Sequence, residues 1–188
     1  MINVSKNPGP SAWNELLPER EPLPSLSSNL TSDWLIVGAG FAGLSAARRV
    51  QQEAPNDSIV ILDAQGLASG PAGRNSGFMI DLPHDLASDD YGGQIENDRK
   101  TIRQNRYAIN FAKKTVEALQ LPEECFKEIG KINGAATAKG MRHNNDYAKH
   151  LSQLGEKYEY LDANSMNEIT GTSYYKGGLF TPGTVMIQ

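Results

Sequence analysis

The sequence predicts an α/β domain organised around a parallel strand, helix, strand unit, followed by the start of an α+β region. Three observations carry this reading. A short apolar run, Trp34-Leu-Ile-Val37, enters the glycine turn Gly38-Ala-Gly-Phe-Ala-Gly43. Leu44, Ala47 and Val50 then recur at helical spacing. A second apolar run, Ser58-Ile-Val-Ile-Leu62, ends on Asp63.

Ahead of this unit, residues 1–32 carry five prolines, at Pro8, Pro10, Pro18, Pro22 and Pro24. That density predicts an extended arm without regular structure, with Trp13, Leu16 and Leu17 as apolar exceptions that dock on the body. In the unit itself each glycine has a separate steric task. Gly38 turns the chain sharply out of the strand, Gly40 lets backbone approach a pyrophosphate, and Gly43 brings the helix close to the strand. Phe41 and Ala42 begin the helix, whose unpaired N–H groups and positive dipole end suit two phosphate charges without a lysine or arginine. Asp63 stands 20 positions after Gly43, where a carboxylate accepts hydrogen bonds from an adenosine ribose and repels a 2′-phosphate. The strand before the motif, the helix after it and the placement of the acid predict a bound dinucleotide.

The segment after Asp63 and Ala64 bears on which dinucleotide. Gly66-Leu-Ala-Ser-Gly-Pro-Ala-Gly-Arg-Asn-Ser-Gly77 is built from glycine and small polar residues instead of a second amphipathic helix. It reads as a ligand-wrapping loop whose four glycines can present successive backbone N–H groups. Within it, Ala68 to Phe78 resembles the "SGRNGG" segment of the FAD-dependent amino acid and amine oxidoreductases, of the D-amino acid oxidase and dehydrogenase type, gamma-glutamylputrescine oxidase-like. The fingerprint from Asp33 to Ala47 resembles the opening of the same family. Looser counterparts follow in order at Lys127–Thr137, Met141–Leu154, Glu159–Ala163 and Gly177–Gly183, so the resemblance spans about Asp33 to Gln188.

The resemblance implies FAD in an extended pose, with adenosine at Gly38, Gly40, Phe41, Ala42, Gly43, Asp63 and Ala64. Ser69, Gly73, Arg74, Asn75, Ser76 and Gly77 would run along the pyrophosphate and flavin, Arg74 adding positive charge that favours the reduced anionic ring. It implies oxidation of the C–N bond of an amino acid or amine to an imine, with oxygen or an electron-transfer partner as acceptor. The fold class becomes a partial Rossmann-like FAD-binding domain, α/β, with the start of an α+β substrate domain. The expected divisions are an arm over 1–32, a FAD-binding region with a long helix over 33–125, and the beginning of a substrate or cap domain over 126–188. Members of the family are longer, so the sequence is read as an N-terminal fragment, inactive alone, that lacks most substrate-anchoring groups; no catalytic residue is assigned. Some relatives link a histidine covalently to the flavin, but the match at His84 is poor and no such link is expected. The residues themselves leave two other readings open: an NAD-dependent oxidoreductase using the same unit, and a non-catalytic nucleotide-binding or interaction fragment.

The later elements follow from periodicity. Ile95, Ile102, Ile109, Ala112, Val116 and Leu119 predict an amphipathic helix over 94–120, ending before Pro122. Its charges, Arg99, Lys100, Arg103, Arg106, Lys113 and Lys114, are expected to form a solvated face. Glu128 to Ala138 reads as a hairpin turning at Asn133-Gly134. Helices over 145–157 and 163–169 complete the pattern.

Composition excludes several other classes. Net charge is −4 with 39% hydrophobic and 21% charged residues, which is too apolar for disorder and lacks the basic excess that nucleic acid attracts. The uncharged stretch Trp34 to Ala47 is shorter than the roughly 20 apolar residues of a membrane helix, so no transmembrane segment is expected. No charged patch and apolar core open the sequence, so no secretory signal is expected. Cys125 is the single cysteine and points to a reducing compartment, the cytoplasm. His143 and His150 have no cysteine or carboxylate at metal-ligand spacing, so no metal is expected. Ser45, Ser69 and Ser76 lack the context of a hydrolase nucleophile. Apolar surface left by the missing half is expected to promote self-association.

Overall fold

A computed structural model describes residues 9–18, 21, 23–83 and 95–187. His84 and Gln94 lie outside the described residues. The chain divides into two units, residues 1–76 and 77–188.

In the first unit, β1 (Trp34–Val37) and β2 (Ile59–Leu62) pair in parallel, Trp34 opposite Ile59 and Val37 opposite Leu62. The crossover is α2 (Phe41–Glu53), as the spacing predicts. Gly38 turns out of β1 with φ +100°, a conformation costly for any side chain. A Cβ on Gly43 would run into the Gly38 carbonyl and lie 3.3 Å from Ile36 Cγ2, so the helix rests on the strand through the absence of that atom. Ile36 therefore faces α2, and by alternation Leu35 and Val37 face away. They are 59% and 81% exposed. The arm departs from the extended chain expected of it. Ala12–Leu16 forms one helical turn, α1, because Ser11 is buried and accepts from the Asn14 amide as its N-cap.

The second unit holds β3 (Phe78–Met79), α3 (Ile95–Ala118), β4 (Phe126–Glu128), β5 (Lys131–Ala135), α4 (Ala138–Leu154), β6 (Glu159–Asp162), α5 (Ala163–Thr170), β7 (Gly177–Thr181) and β8 (Val185–Ile187). Two antiparallel sheets result, with strand orders β3-β8-β4 and β5-β7-β6. The core is Leu82, Ile102, Tyr147, Ala148, Leu151 and Leu179. Ile102 of α3 lies in that core.

Two expectations for this unit are corrected. Asn133-Gly134 is no turn: both residues lie inside β5, opposite Leu179 and Gly178. Gly134 is needed there for space, since a Cβ would meet the Tyr175 ring at 2.8 Å, and the Asn133 carbonyl accepts from Asn144 Nδ2 at 2.8 Å. At Gly130, φ +69°, the chain bends without reversing, and β4 and β5 continue in one direction along β8 and β7. Helix α4 begins seven positions earlier than expected, at Ala138, because Thr137 caps it by accepting from the Gly140 amide; it stops at Gly155, which adopts the left-handed conformation.

Arg106 is likewise more than part of a solvated face. Its Nε and Nη2 donate to Asp81 Oδ2 at 3.1 and 3.0 Å, and its Nη1 donates to Glu156 at 3.0 Å. Asp81 is 1% exposed and Arg106 about half exposed. Hydrogen bonding to Glu156 raises the guanidinium further above its ordinary value. On α4, His150 Nε2 meets Asp98 Oδ2 of α3 at 2.7 Å, with the imidazole buried.

Two stability predictions follow from these packings. Gly43→Ala forces helix from strand and should destabilise the first unit by about 1–3 kcal/mol, the range for overpacking. Arg106→Met leaves the buried Asp81 carboxylate without its cation, and a loss of about 2–4 kcal/mol is expected from the cost of breaking a buried pair. Urea unfolding of each variant measures both; wild-type midpoints would refute them.

Candidate functional site

The glycine turn is held from two sides. The Gly38 amide donates to the Leu62 carbonyl at 2.7 Å, and the Ala39 amide donates to Asp63 Oδ2 at 2.7 Å. Asp63 Oδ1 accepts from the Gln65 amide at 3.0 Å. The Ala39 hydrogen bond, then that of Gln65, holds the Asp63 carboxyl below its ordinary value of 3.8, so it is ionised at neutral pH. The sequence reading placed Asp63 beside the turn without anticipating that it bonds the turn directly.

Gly40 is the N-cap of α2 and supplies no side-chain cap. The amides of Phe41, Ala42 and Gly43 thus begin the helix with the dipole's positive end uncompensated by a side chain. A Cβ on Gly40 would lie 3.9 Å from Ala72 Cβ. The loop after Asp63 consequently passes beside the glycine turn, and the two segments singled out in the sequence meet within one unit. Residues 41–43, 63 and 64 are at the same end of the parallel pair, beyond the carboxyl ends of β1 and β2, where ligands bind in open α/β sheets.

The loop is less featureless than its composition suggests. Pro71–Arg74 forms a 3-10 turn, with Ala68 in the left-handed region at φ +59°. Gly73 is buried, and a Cβ there would strike the Ala68 carbonyl. Ser69 and Asn75 contribute carbonyls: the first accepts from Arg74 Nε at 3.2 Å, the second from Trp13 Nε1 at 2.7 Å. Arg74 also donates to the Gly9 carbonyl. Ser76 ends the first unit and Gly77 opens the second, where the Gly77 carbonyl accepts from the Ile187 amide at 2.7 Å. Ala39 and Ala72 were given no role by the sequence, and Trp13 was read only as a docking residue; Ser11, one residue before an apolar and polar turn, is the signal for the capped helix that carries Trp13.

These features fit a dinucleotide cofactor. An uncapped helix start, a space beside Gly40 kept open by the missing Cβ, and an ionised carboxylate at the end of β2 are complementary to pyrophosphate and ribose. Among the described residues no group of histidine, cysteine and carboxylate side chains could hold a metal, and no helix is long and apolar enough to cross a membrane.

The chain is similar to the probable oxidoreductase OrdL of Rhizobium meliloti (strain 1021), 22% identical over 95% of this chain and 41% of the relative. It is 25% identical to gamma-glutamylputrescine oxidoreductase of Escherichia coli (strain K12), over 84% of this chain and 37% of that protein. It thus spans about two fifths of the curated relatives it matches. Among solved structures, glycine oxidase from Geobacillus kaustophilus superposes with a TM-score of 0.63 at 17% identity, covering 83% of this chain and 40% of that one. L-Amino acid deaminase from Proteus vulgaris gives 0.62 at 14%, covering 88% and 42%. These likenesses bear out the α/β fold class. The model of the family described as FAD dependent oxidoreductase matches residues 33–188, which decides for flavin over nicotinamide. With that match over most of its length, the chain belongs to the FAD dependent oxidoreductase family.

Proposed function

We propose that the chain forms the cofactor-holding part of an oxidoreductase that oxidises the C–N bond of an amino acid or amine to an imine. The observation that carries this is the meeting of an uncapped helix start, Asp63 and the 66–76 loop at one end of the β1–β2 pair. The amides of Phe41, Ala42 and Gly43, approached past Gly38 and Gly40, hold the pyrophosphate. Asp63, with Ala64 beside it, accepts from the ribose hydroxyls. Ser69, Gly73, Arg74, Asn75 and Ser76 extend the path along the cofactor, and Gly77 ends it. Bound FAD supplies the two-electron acceptor for the amine-bearing carbon. The protein's part is to orient the cofactor, to hold positive charge near it through Arg74, and to keep Asp63 ionised.

The substrate class rests on the names of the relatives, which refer to glycine, L-amino acids and gamma-glutamylputrescine. All carry an amine. Electrons pass onward to oxygen or to an electron-transfer acceptor. The single cysteine, Cys125, supports a reducing compartment, the cytoplasm. The exposed apolar residues Leu35, Val37 and Phe41 support self-association.

An absorbance spectrum of the purified chain before and after denaturation, with mass spectrometry of what is released, tests the central reading. Released FAD is expected; a colourless chain that also fails to take up added FAD would overturn it. Asp63→Asn removes a charged acceptor and should weaken FAD binding about 10-fold, from the worth of a hydrogen bond to a charged group. Because hydrogen bonds hold the folded carboxyl below its ordinary value, it is ionised at neutral pH and its contribution disappears as pH falls through that lowered value. The Asp63→Asn chain should lack that acid dependence in fluorescence titrations with FAD. Light scattering should give a mass above the monomer; a clean monomer at high concentration would contradict the self-association.

A further inference from the structure

Residues 9–16 precede the region that the family model matches, yet they are bonded to the loop assigned to the cofactor. Trp13 Nε1 donates to the Asn75 carbonyl at 2.7 Å, across 62 positions of sequence. Arg74 donates on one side to Gly9 and on the other, through Nε at 3.2 Å, to Ser69 within the loop. Ser11 is buried and caps α1, which fixes the direction from which Trp13 reaches Asn75. The tethered residues close the 3-10 turn whose Ala72 lies beside Gly40.

A loop containing Gly66, Gly70 and Gly73 has many conformations to lose when a ligand orders it. Tethers to a separate segment remove those conformations before the ligand arrives, which raises affinity without a new ligand contact. We infer that residues 9–16 clamp the 66–76 loop in its cofactor-facing conformation, with Trp13 as the positioning residue. This rests on the assignment of that loop to FAD.

Trp13→Phe keeps an aromatic ring and removes the N–H donor. Hydrogen exchange at the Ser69 and Gly73 amides, which donate to Gly66 and Gly70 at 3.1 Å, should accelerate about 5-fold, as the loss of one hydrogen bond gives. Exchange in β1 and α2 and the melting temperature of the FAD-free chain should stay as they are. The Kd for FAD should rise by a similar factor, a change that a merely structural contact would not produce at constant melting temperature. Unchanged exchange at Ser69 and Gly73 overturns the clamp, as does an unchanged Kd alongside faster exchange. If the unsubstituted chain binds no FAD, the assignment of the loop fails, and the exchange comparison still decides whether the arm clamps it.

Discussion

Helix α2 lies against β1 at a distance that leaves no room for a Cβ on Gly43, where a side chain would meet the Gly38 carbonyl and Ile36. Everything in the first unit depends on that approach. It aims the helix start at the carboxyl end of the strand pair, and it sets the Ala39 amide where Asp63 can accept it. A two-stranded sheet is marginal by itself. Here the turn bonded to β2 through Gly38 and Leu62, the Asp63 bridge and the single covering helix act together to hold the two strands in register. The atoms that shape the proposed ligand site are therefore the same atoms that hold the unit together.

The second unit places polar groups where apolar ones would pack. Asp81, Arg106 and Glu156 join the segment after β3, the middle of α3 and the turn after α4, while His150 and Asp98 join α4 to α3 again. Ion pairs such as Arg106 with Asp81 contribute little net stability once desolvation is counted. Their geometric demand is stricter, because each fixes one rotation and one height of α3 against α4. Among the described residues the main apolar cluster is small, Leu82, Ile102, Tyr147, Ala148, Leu151 and Leu179 with Leu154 and Tyr158 packed against them. The polar contacts add directional constraints to those of the apolar packing.

How much of this was legible in the sequence depended on whether the signal was local. The strand, turn and helix around Gly38, Gly40 and Gly43 were legible because each glycine answers a steric demand of its near neighbours, and the spacing to Asp63 is fixed by the length of the crossover helix. Helix α3 was legible from its period, with Ile102 on the inner face. Asn133-Gly134 misled because the pair favours a turn locally, whereas Tyr175, far along the chain, occupies the space beside Gly134 and keeps it in a strand. The early start of α4 was hidden by Gly140, a poor helix former tolerated where a Cβ would come within 3.2 Å of Ala135 Cβ. Trp13 and Arg106 were read as a loosely docking residue and a surface charge, since their partners, Asn75, Asp81 and Glu156, are set by tertiary contact alone.

The β1–β2 ribbon exposes Leu35, Val37 and Ile61, and among the described residues neither strand has a further partner on its outer edge. Such a ribbon offers open backbone groups to any other extended chain. Its apolar runs are bracketed by acids: Asp33 before the first, Asp57 and Asp63 around the second. Hydrogen bonds from Ser58 keep the Asp33 carboxyl below its ordinary value, as the Ala39 amide does for Asp63. Both stay charged into mild acid, so two copies stacked edge to edge would bring like charges together at the ends of the strands. Asp63, which orders the turn, and Asp33, which holds Ser58, thus double as gatekeepers against cross-β growth.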